Sequence, residues 1–189
     1  MVIKTELENL LCGNRTANIE MYANNVLKLD GSVLEFGVYR GGTLERLAKI
    51  FKNKKVYGLD TFRGIPQKGS WDRHNVGDFK DVNYRKIEEY FQKNCPNVTL
   101  IQGYFPRTFY HVKNEKFCFL HLDADQYQST LDGLDYLYPR VVPGGVVMLD
   151  DYEWKACPGV KQAVTEFFSW NTCSHQEKLK DVCQYLIIK

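Results

Sequence analysis

Five short apolar runs punctuate this chain, and helical patterns fill most of the gaps between them. The runs are Ser32 to Val38 (SVLEFGV), Lys55 to Asp60 (KVYGLD), Val98 to Gln102 (VTLIQ), Phe117 to Leu122 (FCFLHL) and Gly145 to Leu149 (GVVML). Each is rich in β-branched or aromatic residues and bounded by Gly, Pro, Asn or Asp, which predicts strands buried on both faces. Apolar residues at helical spacing predict helices over Thr43 to Phe51, Asn83 to Gln92, Ser129 to Tyr138 and Val160 to Phe168. Strands alternating with helices predict right-handed βαβ units and an α/β fold with a doubly wound, mostly parallel sheet. Thr5 to Leu29 reads as a further helical segment, broken around Cys12 to Asn14. After Trp170 the pattern changes to a turn and a final strand, Val182 to Ile188, so the sheet is expected to end in a hairpin with an antiparallel last strand. No linker or repeat interrupts the pattern. We therefore expect a single domain over residues 1–189, with 1–31 as an N-terminal helical segment packed on the core.

A chain of 189 residues is long enough for one such core and too short for two ordinary domains. The net charge of +2 is spread without a Lys/Arg stripe, so no nucleic-acid partner is expected. The first residues, MVIKTELENL, lack the apolar stretch and cleavage site of a secretory signal. No apolar run approaches the roughly 18 to 20 residues that span a bilayer, so no membrane partner is expected. Six cysteines without a CxxC pair read as reduced, small hydrophobic residues of a cytoplasmic protein.

In a doubly wound sheet, ligands bind at the carboxyl ends of the strands. The first run ends in EFGVYRGGT, whose glycines let backbone approach a ligand at the start of a helix with free N–H groups. The spacing is not GxGxxG, and the same glycines also suit a plain turn. Asp60 ends the second run, where a carboxylate can take both hydroxyls of a ribose or cap the following turn. The strongest signal is HLDAD (His121 to Asp125) and LDDY (Leu149 to Tyr152), which bring four carboxylates to matching strand ends. Uncompensated, these acids repel and raise one another's pKa; a hard divalent cation with oxygen ligands removes the conflict. Solvated, separately capped acids are the alternative. His121 reads as a satisfied core histidine. The polar loop Ile65 to Phe79 follows the second strand and can reach over the site, with Trp71 as a stacking face and Arg73 and His74 as donors; an ordinary surface loop would look the same.

VLEFGVYRGGT resembles the first motif of catechol-type O-methyltransferases. HLDADQYQSTLDGLDYLYPRVVPGGVVMLDDY, YGLDTFRGIP and GYFPRTF resemble the macrocin O-methyltransferase (TylF-like) family, which methylates sugar hydroxyls on antibiotics. The resemblance runs from about Ser32 to Phe168. It implies a class I methyltransferase, Rossmann-like, with a seven-stranded sheet. It further implies S-adenosyl-L-methionine as cofactor, Mg²⁺ or Mn²⁺ as metal, and a sugar or glycan hydroxyl as acceptor. By that similarity Asp123, Asp150 and Asp151 match the metal ligands and Asp125 the catalytic base; should the base lie elsewhere, His74, outside the resembling motifs, is the next candidate. Glu35, Gly37, Tyr39, Gly41 and Thr43 match the site for the methionine end of the cofactor. Asp60 matches the ribose acid, with Thr61 and Phe62 beside it, and Asp123 also reaches the cofactor. Gly103, Tyr104 and Phe105 match the adenine contacts. The segment ahead of the glycine loop is shorter than is usual in the family, which implies a thinner lid and a more open acceptor site. A catechol-type enzyme acting on a small phenolic diol shares the same metal logic. The acceptor, the methylated position and a homodimer are left open by the sequence.

Overall fold

A computed structural model describes residues 15–189. The earlier part of the expected N-terminal helix, with its break at Cys12 to Asn14, lies outside the described residues. The strands are β1 (Ser32–Phe36), β2 (Val56–Asp60), β3 (Val98–Gln102), β4 (Phe117–Leu122), β5 (Val141–Leu149), β6 (His175–Lys178) and β7 (Tyr185–Ile188). The helices are α1 (Arg15–Asn25), α2 (Gly42–Ile50), α3 (Tyr84–Asn94), α4 (Tyr127–Leu137) and α5 (Pro158–Phe167). The described strands form one seven-stranded sheet in the order β3-β2-β1-β4-β5-β7-β6. Pairing is parallel from β3 through β5, while β7 runs antiparallel to both β5 and β6. The expected antiparallel last strand is therefore present, and it starts at Tyr185 rather than Val182. No described helix is long and apolar enough to cross a membrane.

Strand β6, HQEK, was not expected from the sequence. All four of its residues are exposed, so it carries no apolar signal, and its extended state comes from pairing with β7. The other differences are at element ends. Strand β1 stops at Phe36 because Gly37 turns to φ 93°. Strand β5 starts early, at Val141, through an irregularity in its pairing with β4 around Val141 to Gly145.

Alternating residues of the central strands go to opposite faces. Val33, Val56, Phe119 and Met148 pack with Leu44, Leu47, Ile87 and Phe91 beneath α2 and α3, and Ile19 and Ala23 of α1 join that layer. Leu34, Leu59, Leu120 and Val147 pack with Leu134, Leu137, Val160 and Val164 beneath α4 and α5. Both faces are covered, which is why these strands read as continuous apolar runs.

Register decides what meets at the top of the sheet. Phe36 pairs with Leu59 and with Leu122, and Leu122 pairs with Leu149. The residues that follow, Gly37, Asp60, Asp123 and Asp150, therefore emerge side by side. The chain runs outward from β1 to β3 and returns on the other side of β1 with β4. That reversal is the switch point at which such sheets open a ligand crevice.

Candidate active site

The glycine loop is shaped by close backbone approach. Asp123 N donates to Phe36 O at 2.8 Å, and a Cβ built on Gly37 would lie 1.8 Å from Asp123 O. No residue with a side chain fits there. Tyr39 (φ 49°) and Gly41 (φ 83°) complete the turn into α2. Asp60 holds this loop: its Oδ2 accepts from the N–H of Val38 and of Tyr39, each at 2.8 Å, and its Oδ1 accepts from Phe62 N at 2.7 Å. Each carboxylate oxygen accepts about two hydrogen bonds, so Oδ2 is filled, and the second position on Oδ1 is taken only by a long contact, 3.4 Å, from Thr61 Oγ1.

The acids after β4 and β5 sit in a charged, mostly buried network. His121 is fully buried and its Nδ1 lies 2.9 Å from Glu35 Oε1. Its Nε2 lies 3.5 Å from Asp150 Oδ2, an ion-pair distance too long for a good hydrogen bond. Burial works against the imidazolium, but the carboxylates of Asp150 and Glu35 outweigh it and raise the His121 pKa well above its ordinary value. Burial alone would raise Asp150, yet His121 and Arg15 hold it below the usual carboxylate range. Arg15, the first residue of α1, places Nη2 2.8 Å from Asp150 Oδ2 and 2.9 Å from Asp151 Oδ1. Gln184 donates to Asp150 Oδ1 at 2.6 Å. For Asp123 and Asp125 the compensation, from Arg15 and His121 in the first case and Cys157 in the second, is outweighed. Desolvation first, then Asp150 and Asp151, pushes Asp123 well above its ordinary value; desolvation, then Asp151 and Asp123, does the same to Asp125.

Between loop and acids lies a cleft of about 380 Å³, within the range of roughly 300 to 1,000 Å³ common for small-molecule sites. Of the residues expected at the site, Glu35, Gly37, Tyr39, Thr43, Asp60, Thr61, Gly103 to Phe105, Asp123, Asp125, Asp150 and Asp151 line it. Gly41 and Phe62 do not. Phe62 turns into the core against Tyr84, and a Cβ on Gly41 would meet the Phe91 ring at 2.7 Å. Their contribution is to loop shape. Glu35 Oε2 is buried with no hydrogen-bond partner among the described residues.

The sequence profile of the macrocin-O-methyltransferase (TylF) family matches residues 8–185. The chain belongs to that family. The demethyldecarbamoylnovobiocin O-methyltransferase of Streptomyces niveus is 32% identical over 173 residues, covering 81% of this chain and 64% of that protein. The 8-demethyl-8-(2,3-dimethoxy-alpha-L-rhamnosyl)-tetracenomycin-C 4'-O-methyltransferase of Streptomyces olivaceus is 28% identical over 162 residues, covering 76% and 62%. The matches thus span less than two thirds of the length of both relatives. The structure of the O-methyltransferase NovP superposes with a TM-score of 0.81 at 27% identity, covering 93% of this chain and 79% of that one.

Two features of this TylF-family site have no counterpart in its sequence signals. Arg15 meets Asp151, 136 positions away, and its neighbour Asp150, and nothing local to α1 marks it. Asp72 caps α4 from across the molecule, accepting from Tyr127 N at 2.9 Å while its other oxygen accepts from Gly69 N at 2.8 Å. Together with the bond from Gln126 to Gln67 O, this clip draws Ile65 to Phe79 against the start of α4. It also corrects the placement of Trp71, which lies outside the main cleft. The clip carries it to a smaller cavity beside Gln126 to Gln128, and it is 47% exposed. His74 does line the main cleft.

The donor set fits a hard cation. Ligand atoms of Asp123, Asp125 and Asp151 lie within 4.8 Å of one another, as do those of His121, Asp123 and Asp150, whereas the expected set of Asp123, Asp150 and Asp151 is not one of the groups that converge among the described residues. Oxygen donors carrying excess negative charge suit Mg²⁺ or Mn²⁺. Arg15 already neutralises part of that charge on the Asp150–Asp151 side.

Proposed function

We propose that this chain is an S-adenosylmethionine-dependent O-methyltransferase that methylates a sugar or glycan hydroxyl, with a divalent cation held by Asp123, Asp150 and Asp151. The observation that carries this reading is one cleft with a backbone cradle at one end and four carboxylates at the other. Family membership supports the chemistry, and the rhamnosyl acceptor named for the Streptomyces olivaceus relative supports the substrate class.

When bound, the cofactor supplies an activated methyl group and the cation lowers the pKa of the acceptor hydroxyl. The start of α2, at Gly42 and Thr43, offers N–H groups and a positive dipole end to the methionine carboxylate. The unpartnered Glu35 Oε2 suits its ammonium. Asp60 offers one position on Oδ1, where the long Thr61 contact is readily displaced, to a ribose hydroxyl, and Thr61, Gly103, Tyr104 and Phe105 wall the adenine. Asp125 takes the proton that the acceptor hydroxyl loses. Desolvation, the largest cause of its raised pKa, makes it a stronger base than an exposed aspartate.

Asp60→Ala should weaken S-adenosylhomocysteine at least about tenfold, because it removes the loop's anchor as well as the ribose acceptor, each charged hydrogen bond being worth about 1.5 to 3 kcal/mol. Calorimetry on wild type and variant checks this, and equal affinities would reject the assignment. Exhaustive chelation should abolish turnover, and Mg²⁺ or Mn²⁺ should restore it. Full activity with no metal by elemental analysis would remove the cation from the reaction. A screen of saccharides, polyols and phenolic diols tests the acceptor. Methylation of phenolic diols alone would favour a catechol-type enzyme, and methylation only of protein or nucleic acid would overturn both.

A further inference from the structure

Beside the oxygen-rich acids, three side chains of unlike chemistry meet. Cys157, the residue before α5, is 1% exposed. Its Sγ lies 3.6 Å from His74 Nε2, 3.6 Å from Asp125 Oδ1 and 3.6 Å from Asp151 Oδ2. His74 Nε2 and Asp125 Oδ1 are 4.0 Å apart. One S–H donates to one carboxylate at a time, so one of its two carboxylate contacts is always left without a proton, and the imidazole can meet the sulfur as donor or acceptor. A tetrahedral zinc ion explains the arrangement better. With Zn–S about 2.3 Å and Zn–N or Zn–O about 2.0 to 2.2 Å, tetrahedral angles put ligand atoms roughly 3.3 to 3.6 Å apart. Two edges of the triangle already match, and only the His74–Asp125 edge must close.

A second observation points the same way. Behind the ring, His74 Nδ1 faces Asp78 Oδ2 at 3.6 Å, and the edge of the ring rests on Phe79 with centroids 5.0 Å apart. At 3.6 Å this is an ion-pair contact and not yet a hydrogen bond; a closure of about half an ångström would let Nδ1–H donate to Asp78, the usual support of a metal-binding histidine, which leaves Nε2 free to ligate. Thiolate and imidazole donors select zinc over the hard cations that suit the neighbouring carboxylates.

We propose that His74, Asp125 and Cys157 form a zinc site, and that zinc bound there withdraws Asp125 from proton transfer. Three protein ligands leave a fourth corner for water, and the thiol proton leaves to solvent as the ion binds. The zinc site stands on this geometry alone. The inhibition rests on the proposed role of Asp125 as base.

Cobalt, a spectroscopic stand-in for zinc, separates the two statements. The full chain should be titrated with Co²⁺ in excess Mg²⁺, which keeps the carboxylate site occupied. One equivalent should give a near-ultraviolet thiolate-to-cobalt band and intense tetrahedral visible bands, both lost on adding Zn²⁺. Cys157→Ser should abolish the thiolate band, and His74→Gln should weaken Co²⁺ about tenfold or more. Melting temperature and S-adenosylhomocysteine affinity verify that each variant is folded. Absence of the band in wild type, or its persistence in Cys157→Ser, overturns the site. In turnover assays with excess Mg²⁺, Zn²⁺ should inhibit wild type, and Cys157→Ser should need about tenfold more. A thiolate band without inhibition would uphold the zinc site and overturn Asp125 as the base.

Discussion

Replacing Gly37 with alanine should cost the protein its native site and much of its stability. Two effects add. At φ 93° an L side chain is strained, at about 1 to 3 kcal/mol for such backbone conformations. The new Cβ would also lie 1.8 Å from Asp123 O, and that oxygen belongs to backbone held by the Asp123 N to Phe36 O bond. It cannot rotate away as a side chain can. Gly144 isolates the first effect, since it has φ 78° and a Cβ there would meet only Leu29 at 3.8 Å. Gly144→Ala should therefore show the backbone strain alone. For a chain of this size each kcal/mol moves the melting temperature by about 2 to 4 °C. Gly37→Ala should fall by at least about 10 °C, or fail to fold, and Gly144→Ala by roughly half as much or less. Thermal melts of the two variants check this. Equal shifts would mean that Gly37 is required for its φ and not for the crossing of two strand ends.

That crossing shows what was legible in the sequence. Central strands β1, β2, β4 and β5 are buried on both faces, so their apolar runs were readable without any partner being known. The acids at their ends were readable for the same reason, because strand ends carry the site in such a sheet. What the register adds, by setting Phe36 beside Leu122 and Leu122 beside Leu149, is that the acids meet. Strand β6 was unreadable, being polar and exposed, and its conformation is imposed by β7. Arg15, Asp72 and Gln184 were unreadable for a different reason. Each is an ordinary polar residue whose importance lies in a partner 34 or more positions away. Asp60 was read as a ribose acid or a cap of the following turn; its bonds within the chain go to the glycine loop and, as a cap, to Phe62 N. Long-range electrostatics and capping leave no periodic trace. Burial does.

Asp125→Asn should lower kcat by something like 10² to 10⁴, the usual cost of losing a general base, while leaving ligand binding intact. The substitution is suited to the question. Asp125 has φ 59°, a left-handed conformation that asparagine tolerates as readily as aspartate, so the backbone should not respond. The volume is unchanged, and the neighbouring Cys157 S–H keeps a carbonyl oxygen to donate to. One negative charge disappears beside Asp123 and Asp151, which raise the Asp125 pKa after desolvation. Repulsion in the cluster therefore falls, and the variant should be at least as stable as wild type. Loss of activity then cannot be assigned to unfolding. The decisive comparison is with Asp150→Asn, which removes a proposed metal ligand already tied to His121, Arg15 and Gln184. That variant should lose metal content and turnover together. Asp125→Asn should keep metal and S-adenosylhomocysteine affinity while turnover collapses. Measuring kcat, metal content and cofactor affinity on both proteins separates proton transfer from metal binding. An active Asp125→Asn would move the base to His74, whose Nε2 lies 4.0 Å from Asp125 Oδ1.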